Sequence, residues 1–128
     1  MNNDLKFKEL TDAVICCFYN VYKALGYGFL EKVYEKSLLH ELVKRGISAT
    51  SQYPITVYYD MNVVGEYFAD LLVENSLIIE IKAAKCILPE HEAQLLNYLK
   101  ATEIEVGLLL NFGPKPEIRR KAFDNTRK

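Results

Sequence analysis

The sequence predicts an α/β fold, a mixed central sheet flanked by helices. Three observations predict it. Apolar residues recur at helical spacing as far as Arg45, the stretch from Tyr53 to Ala83 divides into three β-rich runs, and an isolated apolar strand, Val106 to Leu110, follows a further helical segment. A strand that returns to a sheet through a helix lies parallel to the strand before it, with a right-handed crossover, so this sheet must contain both kinds of pairing.

From Leu10, the residues Ala13, Val14, Cys17, Phe18, Val21, Ala24 and Leu25 mark one face of a first helix that ends near Gly26. A second helix starts after Gly28, carries Leu30, Val33, Tyr34, Leu38 and Leu42, and stops at Gly46 behind Lys44 and Arg45. Tyr53 to Tyr59, Val63 to Val73 and Leu77 to Ala83 form a three-stranded meander, with turns around Asp60 to Asn62 and Glu74 to Ser76. Pro89 suits the first turn of a helix that runs to Ala101. Pro116 is read as opening a final short helix, with the basic tail (Lys115, Arg119, Arg120, Lys121, Arg127, Lys128) as its polar face or as a contact for phosphates.

The 128 residues are expected to form one domain, 1–128, large enough for a core and too small for two. With 50% hydrophobic and 26% charged residues the chain reads as ordinary globular material. No apolar run approaches a membrane span, and MNNDLKFKEL lacks the pattern of a leader, so a cytoplasmic protein that binds no membrane is expected. Cys16, Cys17 and Cys86 form no CxxC pair and are read as small core residues; His40 and His91 are too few for a zinc site. A net charge of −1 argues against a protein that coats nucleic acid nonspecifically.

The chemistry concentrates on two adjacent strands. Asp70 lies in YFADLLV, and Glu80 and Lys82 lie two apart in SLIIEIKAA. Side chains two apart on a strand share a face, and the turn at Glu74 to Ser76 brings Asp70 back beside them. Two carboxylates and an ammonium then converge, a set suited to a hard divalent cation acting on a phosphodiester. Taken alone, an acid two residues before a lysine is more often a solvated face or a cross-strand ion pair. Here the strand is apolar throughout and reads as covered on both faces, where an unpaired charge is costly.

An αβββαβ core with an acid on its second strand and an acid-x-Lys pair on its third resembles the restriction-endonuclease-like PD-(D/E)XK nuclease superfamily. The segment GFLEKVY, Gly28 to Tyr34, also matches the signature of the GxxExxY family within that superfamily, and ADLLVEN, IIEIKA, PEHEAQLLNYLKAT and VGLLLNFG resemble its further blocks in the same order. The resemblance implies a nuclease that hydrolyses DNA or RNA with Mg²⁺ or Mn²⁺, with Asp70 and Glu80 as metal ligands, Lys82 as the catalytic lysine and Glu31 as the acid supplied by the helix. Gln94 and Tyr98, four apart on the third helix, are similar to a glutamine-xxx-tyrosine pair that follows the catalytic strand in some of these nucleases; Gln94 would orient a water or a phosphate. Beside this, Glu31 also reads as a first-turn glutamate favoured by the helix dipole, and His91 and Glu92 lie near enough in sequence to reach the same site. Two departures stand out: Ala69 replaces the proline of the superfamily name, and Tyr22 stands where many members carry a histidine. The competing expectation is a non-catalytic scaffold on the same fold, whose tyrosines Tyr53, Tyr58, Tyr59 and Tyr67 pair subunits as a homodimer through the meander edge.

Overall fold

The computed structural model describes residues 7–128; part of the leader reading and the first residues of the expected domain lie outside them. Helices α1 (Lys8–Leu25) and α2 (Glu31–Lys44) precede strands β1 (Ala49–Tyr59), β2 (Asn62–Val73) and β3 (Leu77–Lys82), then α3 (Pro89–Lys100), β4 (Val106–Phe112), β5 (Pro116–Ala122) and a 3-10 turn, Asn125–Arg127. The sheet order is β1-β2-β3-β4-β5, with β3 and β4 parallel and every other pair antiparallel. The mixed pairing expected from the sequence is present.

Two cores sandwich the sheet. Phe18, Tyr34, Leu38, Ile79, Ile81 and Phe112 belong to the core under α1 and α2, while Ile78, Leu95, Leu99 and Leu109 belong to that under α3. Strand β3 therefore feeds alternate side chains to opposite cores, which is why its run of apolar residues is unbroken. Among its six residues only Lys82 is more than marginally exposed.

The expected helix at Pro116 is instead the edge strand β5. Proline is tolerated at the first residue of an edge strand as well as at the first turn of a helix, and the sequence alone does not separate the two. The strand alternates: Ile118 and Ala122 pack on the α1/α2 core, while Arg119 and Lys121 on the other face reach Glu92 of α3, Lys121 at 2.8 Å. Its basic residues also blunt the sheet edge against pairing with other chains. Two further basic residues of the tail are engaged as well: Arg127 stacks on Phe123 and Lys128 donates to the Thr102 and Ile104 carbonyls.

The cysteine reading holds for Cys17 alone. Cys16 and Cys86 are exposed, and Arg45 donates to the Cys16 sulfur at 3.1 Å.

One irregularity places the site. Leu71 and Val73 pack with the α1/α2 core, yet Ala69, of the same parity, packs with the α3 core; on β1, Ala49 joins the first and Tyr53 and Ile55 the second. Residues of like parity share a face of a regular strand, so the β1–β2 ribbon turns over between them. The backbone shows where. Gln52 has φ 56°, and its pairing with Asp70 is missing from a ladder that holds Ser51 opposite Leu71 and Tyr53 opposite Ala69. A left-handed non-glycine inside a strand is strained and persists only where its surroundings impose it.

Candidate active site

Strands β2 and β3 pair only through Leu71–Ile79, Leu72–Ile78 and Val73–Leu77. The next positions in register are Asp70 and Glu80, and there the ladder opens. The side chains take over from the backbone: the Asp70 N–H donates to Glu80 Oε2 at 2.8 Å, and the Ile81 N–H donates to Asp70 Oδ2 at 2.7 Å. Each carboxylate thus satisfies an amide that the separated strands no longer pair. The two acids are locked side by side.

Glu80 is buried and Asp70 half-buried, and among the described residues neither is in an ion pair. Burial, reinforced by the charge of Asp70, pushes the Glu80 carboxyl up to about 8, against the Asp70 N–H and Lys82, which favour its charged form. Burial also raises Asp70; Glu35 and Glu31 add to the rise, and the Ile81 N–H and Lys82 oppose it. Lys82, two residues beyond Glu80 on β3, is the cation acting on both acids. With both carboxylates ionised, the site carries more negative charge than Lys82 neutralises, and without a bound cation Glu80 keeps its proton up to about pH 8.

The loop before α2 explains GFLEKVY residue by residue. Gly28 takes φ 113°, a conformation that side chains rarely adopt. Tyr34 is buried and stacked on Phe112, centroids 4.2 Å apart; its hydroxyl donates to the Gly26 carbonyl at 2.7 Å and accepts from the Phe29 N–H at 3.2 Å, pinning the loop. Glu31 is left facing out. It is exposed, and its charge acts on both Asp70 and Glu80.

Glu31 also lines a cleft of about 550 Å³ with Gly28, Ala84, Lys85, Gly113 and Pro114. The cleft lies at the C-terminal ends of the parallel strands β3 and β4, the usual place for ligands of such sheets. Its far wall is fixed by polar bonds. Tyr22 donates to the Gly113 carbonyl at 2.7 Å, and buried Asn111 holds both the N–H and the carbonyl of Ala84. A Cβ on Gly113 would collide with the Ala84 carbonyl, so only glycine fits that approach.

On the α3 side, the Gln94 amide donates to the Tyr98 hydroxyl at 3.0 Å. Burial, with Glu80 and Asp70 adding, pushes that hydroxyl up to about 12, so Tyr98 is close enough to feel the acid pair. Gln94 itself bonds Tyr98 and neither carboxylate. His91 and Glu92 are used elsewhere: His91 Nδ1 accepts the Leu88 N–H at the start of α3, and Glu92 pairs with Lys121.

Two residues escaped the sequence reading. Glu35 is buried, bound by Gln52 Nε2 at 2.9 Å and by Lys32 at 3.3 Å, and acts on Asp70. Its position four residues from Glu31, on the same helix face, was the available signal. Gln52 carried none, because its part depends on the turned-over ribbon.

A family model of the PD-(D/E)XK nuclease superfamily matches residues 8–121. The chain belongs to that superfamily. Its five-stranded mixed sheet with flanking helices is the restriction-endonuclease-like fold of PD-(D/E)XK proteins. Among solved structures the crystal structure of SSO0001 is similar in fold, with a TM-score of 0.61 and 18% identity over 94% of this chain. The chain spans 61% of that protein's length. No curated protein matches it in sequence. Among the described residues no helix is long and apolar enough to cross a membrane.

Proposed function

We propose that this chain is a metal-dependent nuclease of the GxxExxY type, hydrolysing phosphodiester bonds in DNA or RNA. The observation that carries the proposal is the split in the β2–β3 ladder, where two carboxylates are held together against their mutual repulsion with Lys82 beside them. Membership of the PD-(D/E)XK superfamily supports it, since these nucleases generally use divalent metals.

The residues suit Mg²⁺ or Mn²⁺. Among the described residues no three His, Cys, Asp or Glu side chains close on one point, so the protein would offer two carboxylates, Asp70 and Glu80. Mg²⁺ usually takes only one or two and keeps several waters. When bound, the metal would lower the pKa of a water and neutralise charge on the phosphate.

The chain's own groups do the rest. Asp70 and Glu80 stay fixed through the reaction, because each is anchored on a backbone amide of the opposing strand. Lys82 orients the attacking water and offsets the charge that develops on the phosphate oxygens. Glu31, exposed at the cleft, accepts a hydrogen bond from solvent entering the site, and Glu35, held by Gln52, keeps negative potential on the α2 side of Asp70. Gln94, steadied on Tyr98, orients the water or a phosphate oxygen from the opposite side.

Cleavage of labelled single- and double-stranded DNA and RNA, with Mn²⁺ or with EDTA, tests the reading. Cleavage of at least one substrate that stops with EDTA is expected. Cleavage insensitive to EDTA, or none of any substrate by folded protein, contradicts it and favours the scaffold.

A further inference from the structure

We propose that the β1–β2 hairpin is a dimerisation arm that pairs with the same arm of a second copy along the free edge of β2. Strand β2 is twelve residues long, and β3 covers only Leu71 to Val73 of it. From Asn62 to Ala69 its other edge makes no backbone hydrogen bond to any described element. Exposed edges of this length are normally blunted by lysine, proline or a bulge. Here Glu66 is the one charge between Asn62 and Ala69 and neither lysine nor proline occurs there; the one bulge is at Val64 of β2, since Val57 pairs with Gly65 and Tyr58 with Val63.

The arm is apolar on both faces. Tyr58, Tyr59, Met61, Val63, Val64 and Phe68 are all more than half exposed, Met61 at 91%. Six such side chains leave on the order of 800 Å² of apolar surface per chain, about what one partner contributes to a standard interface. A groove of about 890 Å³ lies between the hairpin, which lines it with Tyr58, Val64 and Tyr67, and α3, which lines it with Tyr98 and with Glu90 and Lys100.

Charge selects the occupant. No Lys or Arg occurs between Arg45 and Lys82, whereas Asp60, Glu66 and Asp70 are acidic. The arm therefore offers no cation to a phosphate backbone or an anionic bilayer. Another strand satisfies the unpaired amides and carbonyls, and an antiparallel copy of the same strand does so with itself across a two-fold axis. The free edge ends at Asp70, so the second copy also borders the carboxylate pair.

Light scattering coupled to size exclusion at micromolar protein tests this, with the far-ultraviolet dichroism of each variant as the check on folding. The wild type is expected at twice the chain mass, and Val64→Lys/Phe68→Lys and Tyr59→Glu/Met61→Glu, made separately, at half the wild-type value. Because the two pairs lie at different points of the arm, one remains decisive if the other fails to fold. A wild type at single-chain mass, or a folded variant that keeps the wild-type mass, overturns the proposal.

Discussion

Lys82→Ala is expected to lower metal-dependent cleavage by ~10²–10⁴-fold, the range associated with losing a group that assists proton transfer or positions the nucleophile. Lys82 is half-buried at the end of β3 and makes no ion pair among the described residues, so its truncation removes little packing. The unfolding midpoint should stay close to that of the wild type, and Mn²⁺ binding should persist because Asp70 and Glu80 remain. The informative readout is kcat on whichever nucleic acid the wild type cleaves, measured beside a melting curve. Unchanged kcat in folded Lys82→Ala would remove the lysine from the mechanism.

Glu80→Gln should stabilise the metal-free protein above pH 8 and scarcely affect it near pH 4. The sign follows from linkage. The Glu80 carboxyl ionises near 4.5 in the unfolded chain and is pushed up to about 8 in the folded one. Below the lower value both states are protonated and burial carries no charge penalty. As pH rises from 4.5 to 8 the unfolded chain releases its proton first, so stability falls, and above 8 the loss levels off at an amount on the order of 5 kcal/mol. A glutamine can still accept the Asp70 N–H without becoming charged. In EDTA, melting curves of wild type and variant should diverge through this window, with the variant higher. A difference of the same size at pH 4 and pH 8.5 would assign the effect to packing. Saturating Mn²⁺ should narrow the gap at high pH, because an ion that binds only the folded wild type stabilises it by mass action.

Much of this was legible in the sequence because strong periodicities and the acid-x-Lys spacing are local. The helices, the meander, the parallel β4 and the placement of Asp70 beside Glu80 follow from side-chain alternation and turn positions within a few residues of each other. Pro116 misled because proline at the head of an element fits a helix and an edge strand alike; the preference for a strand comes from β4, whose second edge needs a partner far from Pro116 in neither sequence nor space. On α2 Tyr34 is buried and stacked on Phe112 while Glu31, three residues before it, stays in solvent, a difference set by what the helix packs against and not by its spacing. Glu35 and Gln52 stayed hidden for a different reason. Their meeting depends on the β1–β2 ribbon turning over at a left-handed glutamine, a tertiary event that neither residue's neighbours announce. Tyr53, expected among the exposed tyrosines, is half-buried against the α3 core through the same turnover.

Calorimetric titration of Mn²⁺ into the wild type and into Asp70→Asn/Glu80→Gln tests the central claim most directly, with and without a phosphorothioate oligonucleotide to supply phosphate oxygens. The account predicts saturable binding by the wild type in at least the presence of the oligonucleotide, and its loss in the folded double variant. Equal binding by both proteins, or no binding by the wild type under either condition, would contradict a metal centre at Asp70 and Glu80.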